Sequence, residues 1–277
     1  MKLSIITPVY NAEKTIEKTV LSVINQPRQV ELEYIIIDGG STDRTLEIIQ
    51  KYSNHIKIII SEKDQGVYDA MNKGITYATG DLIGIINSDD WYNESAFRIV
   101  EQTFFENPEI SILYSPIKNY FHGEYLSTFI PGDLDRLPFK FTINHPSCFV
   151  QRSVYEEIGN FNLSYEIAAD YDFILRAYQS GLSFHAVLPA LVSYSLNGIS
   201  GNPMTKFQQI HESWKIGSTH SLEHLKSQRL TFYIGWIVKE IIVFPIKLIF
   251  PATMTRQLKA KMRNFFGGLQ SDKYGAW

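Results

Sequence analysis

Leu82-Ile83-Gly84-Ile85-Ile86-Asn87-Ser88-Asp89-Asp90 is an apolar, largely β-branched run that turns polar at once. With no polar residue at either alternate position, the run reads as a strand buried on both faces, the condition of a parallel sheet covered by helices. Three upstream runs have the same character: Leu3 to Thr7, Tyr34 to Ile37 and Ile56 to Ile60. Each also ends in a polar turn, respectively Thr7-Pro8-Val9-Tyr10-Asn11, Asp38-Gly39-Gly40-Ser41-Thr42-Asp43 and Ser61-Glu62-Lys63-Asp64-Gln65-Gly66. Between the runs lie helical stripes: Ile16, Val20, Val23 and Ile24; Leu46, Ile48 and Ile49; Val67, Ala70, Met71, Ile75 and Ala78. Strands alternating with helices predict βαβ units, an α/β fold whose mostly parallel, Rossmann-like central sheet is flanked by helices. Ligands of such sheets sit outside the carboxyl ends of the strands, so the polar turns hold the candidates.

With 277 residues, 44% of them hydrophobic, and only 17 Gly and 11 Pro, the chain is neither disordered nor collagen-like. A single cysteine, Cys148, excludes an internal disulfide framework and fits a reducing cytosol. The opening residues become polar too quickly for a secretory signal, which predicts a cytoplasmic start. No G-x-G-x-x-G follows the first strand and no P-loop occurs, so hydride transfer and P-loop phosphoryl transfer lack their signatures. Charge is uneven: residues 1–225 carry 17 Lys/Arg against 27 Asp/Glu, and residues 226–277 carry 9 against 2. An acidic body with a basic tail suggests a soluble catalytic domain followed by a segment that faces an anionic surface; no nucleic-acid partner is expected.

Further along, Ser147 to Gln151 predicts a strand, Arg152 to Ile158 a helix closed by Gly159, and Tyr171 to Gln179 a helix closed by Gly181. After Asn202 the sequence becomes helical and lipophilic, giving residues 1–202 as the catalytic domain and 203–277 as a helical, amphipathic extension. Phe232 to Phe250 nearly matches a bilayer's thickness but contains Lys239, Glu240, Lys247 and Pro245. It reads as an interfacial helix on anionic lipid, backed by Arg256, Lys259, Lys261 and Arg263 and broken at Pro245; the alternative is a helix buried on the catalytic domain or in a dimer interface.

Two adjacent carboxylates, Asp89 and Asp90, repel unless a cation or donors compensate, and so few hard oxygen ligands suit Mg²⁺ or Mn²⁺ completed by water and phosphate. A cap for a helix beginning near Asn93 is the alternative. Asp38 could accept a hydrogen bond from a base edge, Gly39 and Gly40 letting the main chain approach a ligand, although an ordinary turn and cap explain everything there except Asp38. Asp64 stands at a helix start, with Asn72 and Lys73 on that helix's polar side; Lys73 is either solvated or placed to meet a diphosphate. Asp170 and Asp172 occupy another first turn, where capping needs only one of them and leaves the other free to act as a base. His145 and Cys148 lack zinc's partner set, so His145 is expected to hydrogen-bond near substrate.

In order, these turns resemble the motifs of the inverting family 2 glycosyltransferases of GT-A fold: T-P-x-Y-N at Thr7 to Asn11, a D-G-S-T-D-type turn at Asp38 to Asp43, G-x-x-x-A-x-N-x-G at Gly66 to Gly74, and a D-x-D-type motif at Asn87 to Asp90. The likeness covers roughly residues 1 to 200. It implies a metal-dependent transfer of sugar from a nucleotide-diphosphate donor, a UDP-sugar above others, to an acceptor hydroxyl, such as that of a lipid-linked or surface glycan precursor. Thr7, Pro8, Tyr10, Asn11, Asp38, Asp64, Asn72, Lys73 and Ser88 fall on the implied donor side, and Asp89 with Asp90 at the implied Mn²⁺ or Mg²⁺. Asp170 is the implied catalytic base, with His145 and Asp172 on the acceptor side. Ala169 replaces a Glu of the family pattern and Asn87 its first Asp, departures that favour a non-catalytic sugar-nucleotide-binding subunit as a rival. A sugar-1-phosphate nucleotidyltransferase is a second rival, lacking its Gly-rich loop here. The expected location is the cytoplasm, peripheral on the inner face of the membrane.

Overall fold

A computed structural model describes residues 1–197, 203–220 and 225–249. In chain order the elements are β1 (Lys2–Val9), α1 (Ile16–Ile24), β2 (Glu31–Asp38), α2 (Thr45–Gln50), β3 (Ile58–Ser61), α3 (Val67–Tyr77), β4 (Leu82–Ile85), β5 (Trp91–Tyr92), α4 (Ala96–Glu106), β6 (Ile112–Tyr114), β7 (Ile117–Phe121), β8 (Glu124–Phe129), β9 (Phe149–Gln151), α5 (Arg152–Ile158), α6 (Ala169–Gln179), β10 (Phe184–Ala186), β11 (Val192–Ser195), α7 (Pro203–Thr219) and α8 (Lys226–Ile249).

The main sheet runs β10-β6-β9-β4-β1-β2-β3 and is parallel except at β9, which lies antiparallel between β4 and β6. Alternation sorts each strand's residues between two cores. Ile6, Ile35 and Ile37 join Met71 and Ile75 of α3 with Phe173 and Leu175 of α6, while Leu3, Ile5, Tyr34 and Ile36 join Val20 of α1 with Phe97 and Val100 of α4. A second sheet, β5-β11-β7-β8, extends the carboxyl edge beyond β4. Gly74 lets α3 lie directly on β1, since a Cβ there would overlap Ile6.

Several expected boundaries shift. His145–Ser147 forms a 3₁₀ turn, so the strand after it begins at Phe149. The third strand starts at Ile58 behind a 3₁₀ turn at Ser53–His55. Ala169 opens α6 two residues before the expected start. Pro245 lies inside α8 instead of ending it. Among the described residues no helix is long and apolar enough to cross a membrane. Arg256, Lys259, Lys261 and Arg263, expected to back the interfacial helix, lie outside the described residues.

At the opposite edge from the polar turns, a buried carboxylate ties the sheet's first layer together. Glu33 accepts Lys2 Nζ at 2.8 Å, Ser4 Oγ at 2.6 Å, and Thr79 N and Oγ1 at 2.7 and 2.8 Å. Burial pushes its pKa up, but these donors together hold it down at about 2. A depressed folded pKa contributes stability that is complete above the unfolded value of about 4.5 and is lost as pH falls toward 2. Glu33→Gln should therefore cost about 2 kcal/mol at neutral pH and make the protein less sensitive to acid between pH 4.5 and 2, as measured by urea unfolding across that range.

Candidate active site

The turns after β1, β2 and β3 interlock. Buried at the end of β2, Asp38 accepts Gly40 N at 3.2 Å, Ser41 N at 3.0 Å and Ser61 Oγ at 2.7 Å, besides the Ser41 hydroxyl. Asn11, in the left-handed region at φ 47°, accepts Thr42 N at 2.8 Å on its side-chain oxygen, and Ser41 Oγ accepts its backbone N–H at 2.8 Å. Asp64 accepts Gly66 N at 3.0 Å and lies against Gly39, where any Cβ would overlap its carboxylate. Asp64, Asn11 and the 60% exposed Tyr10 thus share one rim, with Asp38 buried beneath it as the anchor of the turn. Ser88, half-buried, lies in the turn after β4 at the same edge.

Other expected donor-side residues are used within the protein. The Thr7 hydroxyl is buried and meets Tyr34 Oη at 3.1 Å, and Pro8 is buried in the β1–β2 ladder. Asn72 clamps Phe161 at both ends, donating Nδ2 to its carbonyl at 2.9 Å and accepting its N–H at 3.0 Å. Lys73 pairs with Glu62 at 2.8 Å and Asp69 at 3.3 Å.

Asp89 and Asp90 divide sharply. Asp90 is fully buried, accepting Ser195 N at 2.8 Å and Asn87 Nδ2 at 3.2 Å, so it welds the second sheet to the turn after β4. Burial, followed by the charge of Asp89, pushes its pKa well up. Asp89 is half-buried, accepts no side-chain hydrogen bond among the described residues, and has its pKa raised by burial. Neither residue caps α4, which begins at Ala96 after Ser95 in the left-handed region. Among the described residues no three His, Cys, Asp or Glu side chains gather as a metal cage. The half-buried, uncompensated Asp89 carboxylate nevertheless suits a hard cation that takes its remaining ligands from phosphate and water.

Asp170 and Asp172 also part. Asp172 is buried, accepting Arg176 Nε at 2.9 Å and meeting His220 Nε2 at 2.8 Å; it therefore faces the α6–α7 interface and not the acceptor side proposed for it. Arg176 continues to the carbonyls of Ile158 and Gly159 and, at 2.6 Å, of Asn160. Asp170 Oδ1 lies 3.1 Å from Tyr68 Oη and accepts Tyr171 N at 2.8 Å, while Oδ2 has no hydrogen-bond partner among the described residues. Burial raises its pKa to about 6. His145, buried edge-on to Phe161 at 5.5 Å, has its pKa lowered by burial to about 4 and stays neutral at physiological pH.

Sequence reasoning passed over two residues here, Tyr68 and Glu212, whereas the loop from Tyr114 to Asn144 is expected to carry substrate-selecting side chains. Tyr68 meets Asp170 from α3, and neither that helix's apolar stripe nor its Gly66 to Gly74 motif singles Tyr68 out. Glu212 reaches the turn before Asp170 from α7 with no local motif around it. Tyr114 ends β6 beside a cavity of about 430 Å³ that also borders Pro131, Gly132, Asp133 and Asp135. This cavity opens at the carboxyl edge, and the loop that forms it is tied to α6 by Tyr171 Oη donating to Leu137 O and Tyr178 Oη to Asp135.

The family profile described as Glycosyl transferase family 2 matches residues 4–159. A PGL/p-HBAD biosynthesis glycosyltransferase of Mycobacterium bovis is 33% identical over 198 residues, covering 69% of this chain and 72% of that protein. Chondroitin synthase of Pasteurella multocida is 30% identical over 189 residues, 66% of this chain but 19% of that protein. Among solved structures, S. aureus TarS 1–349 in complex with UDP-GlcNAc matches with a TM-score of 0.61 at 22% identity, over 70% of this chain and 58% of that one. The same fragment with UDP matches equally well.

The division of labour between Asp170 and Asp172 appears in stability. Asp172→Asn leaves Arg176 short of its buried partner and should destabilise by about 3 kcal/mol. Asp170→Asn should raise Tm by a few degrees at pH 7, because the folded state bears the cost of an ionised carboxylate whose pKa it has raised. That gain should fade as pH falls through about 6 toward 3.8, where the acid is protonated in both states. Thermal melts of both variants at pH 4 and pH 7.5 check the pair of signs.

Proposed function

Because the chain belongs to glycosyl transferase family 2, we propose that it moves a sugar from a UDP-sugar to an acceptor hydroxyl with inversion at the anomeric carbon. One observation carries this reading: of the two carboxylate pairs, Asp90 and Asp172 are consumed by structure, while Asp89 and Asp170 keep acceptor capacity. An acceptor hydroxyl is a poor nucleophile until its proton is removed, and Asp170 Oδ2 is the atom proposed to take it. With a pKa near 6, Asp170 is mostly ionised at pH 7 yet a stronger base than an ordinary carboxylate. Asp64, Tyr10, Asn11 and Ser88 line the rim proposed for the nucleotide, with Asp38 buried beneath it and holding the turn in place; a nucleotide-sugar donor is supported by the UDP and UDP-GlcNAc complexes of TarS. Asn72 and Lys73 support that rim through Phe161 and Glu62 rather than by free side chains.

Asp89 is the proposed carboxylate for Mn²⁺ or Mg²⁺, which when bound supplies positive charge to the departing diphosphate. The cavity beside Tyr114 is the proposed entry for a glycan acceptor, such as a lipid-linked precursor, with Asp133 and Asp135 as hydroxyl acceptors and His145 as a neutral neighbour.

Residues 1–202 are proposed as the catalytic domain, peripheral on the cytoplasmic face of the membrane through the extension at 203–277. α8 is inverted relative to an ordinary surface helix: Arg229, Tyr233 and Glu240 are buried, while Leu230, Ile234, Ile237, Val238 and Ile241 are exposed along the other side. That aliphatic stripe, with the excess of Lys and Arg from 226 onward, supports docking on anionic lipid.

Asp170→Asn should retain donor affinity and lose turnover by about 10² or more, while Asp89→Asn should weaken Mn²⁺-dependent donor binding, both read by calorimetry with UDP and by UDP release. Normal turnover in Asp170→Asn would remove the base assignment. In flotation, the full chain should rise with anionic vesicles and much less with neutral ones, and Ile234→Glu with Val238→Glu should abolish the difference.

A further inference from the structure

The turn that delivers Asp170 has no cap of its own. Ala168 flanks α6 and Ala169 opens it, and neither can accept a hydrogen bond on its side chain. The first-turn Tyr171 N is taken by Asp170 itself, and the turn just before the helix is held from α7. Glu212, buried, accepts Glu166 N on Oε1 at 3.0 Å, and Ile167 N and Ala168 N on Oε2 at 2.9 Å each. Gln208, one turn earlier on α7, donates to Glu212 Oε1 at 3.2 Å and to Glu166 Oε2 at 2.7 Å. Three successive N–H groups of the catalytic turn thus converge on one carboxylate from an element 44 to 46 positions later in the chain.

We propose that Glu212 is a positioning residue for Asp170, fixing the 166–168 turn so that Asp170 Oδ1 is held between Tyr68 and Tyr171 N and Oδ2 is left to work. The proposal rests on Asp170 as the base. It extends the functional unit beyond residues 4–159, where the family profile ends. Around the same turn, Lys215 lies over the Tyr165 ring and Tyr165 Oη meets Thr219 Oγ1 at 3.4 Å, so α7 grips this loop along three turns of helix.

The hold is also electrostatic. Asp170 is faced by Tyr68 from α3, by Glu212 from α7, and by the buried Cys148 thiol before β9. Burial is the main reason its pKa is high, and the Glu212 carboxylate pushes in the same direction. Tyr68 has one proton for two acceptors, Ile167 O at 2.8 Å and Asp170 Oδ1 at 3.1 Å. A slack turn would therefore alter the hydrogen bond that Asp170 receives. Neutralising Glu212 removes a like charge and lets Asp170 ionise at lower pH.

The test uses the full chain with ¹³C-labelled aspartate, Asp170→Asn assigning the resonance. In Glu212→Gln, amides 166–168 should exchange about tenfold faster, and the Asp170 titration midpoint should rise, because the loosened turn withdraws the Tyr68 and Tyr171 donors that hold it down, whereas loss of the Glu212 charge alone would lower it. A drop in Tm with unchanged exchange at 166–168, or an Asp170 midpoint that falls as it would for loss of a like charge alone, would overturn the proposal. Gln208→Ala covers the case in which Glu212→Gln does not fold: it loosens Glu212 without removing it and should speed exchange at 166–168 by about threefold, and unchanged exchange there overturns the proposal as well. If exchange at 166–168 quickens and the midpoint rises but Asp170→Asn turns over normally, Glu212 still positions Asp170 and only the base reading falls.

Discussion

Eight consecutive pairings between β1 and β2, from Lys2 with Glu31 to Val9 with Asp38, set the frame of the molecule. Every residue after Leu3 in β1 and after Leu32 in β2 is buried, so the ladder sits between two cores and has no freedom to slip. A shift of one residue would turn Ile35 and Ile37 into the space of Tyr34 and Ile36. It would also carry Asp38 away from the turn that Asn11 clasps. The lower end of the same ladder is locked by Glu33 and Lys2, the upper end by Ser41 Oγ accepting the backbone N–H of Asn11, so the strands are pinned by polar groups where their apolar middle could not distinguish one register from the next.

From that frame follows an unequal treatment of neighbouring carboxylates. Side chains two residues apart in a helix start, or adjacent in a turn, point in different directions, and in each pair only one has both carboxylate oxygens engaged by the protein's own groups. Asp90 and Asp172 receive backbone N–H, guanidinium and imidazole partners. Asp89 and Asp170 are desolvated without equal return, which makes them costly to the fold and chemically useful. Stability and reactivity are therefore segregated to alternate residues of the same short segments.

Much of this was legible from sequence because it is local. Apolar runs and 3.6-residue stripes located the first four strands of the sheet and the helices between them, and glycines 159 and 181 marked helix ends. What escaped depends on distant partners. Nothing near Thr7 says that its hydroxyl turns to Tyr34, and nothing near Asn72 says that it clamps Phe161, 89 positions later. Asp90 looked equivalent to Asp89 because Ser195, its partner, lies on another sheet. Pro245 reads locally as a stop, yet α8 continues through it, showing that the ring's missing N–H does not terminate this helix.

The outward aliphatic stripe of α8 also governs how the purified chain behaves in water. Five large side chains from Leu230 to Ile241 remain wetted, and each gains free energy by leaving water. Without lipid, two copies can satisfy that drive by laying stripe on stripe, as can a detergent micelle. Apparent molecular weight should then follow protein concentration and detergent rather than any fixed subunit count, and a dimer seen in such conditions would report on solvent, not on quaternary design.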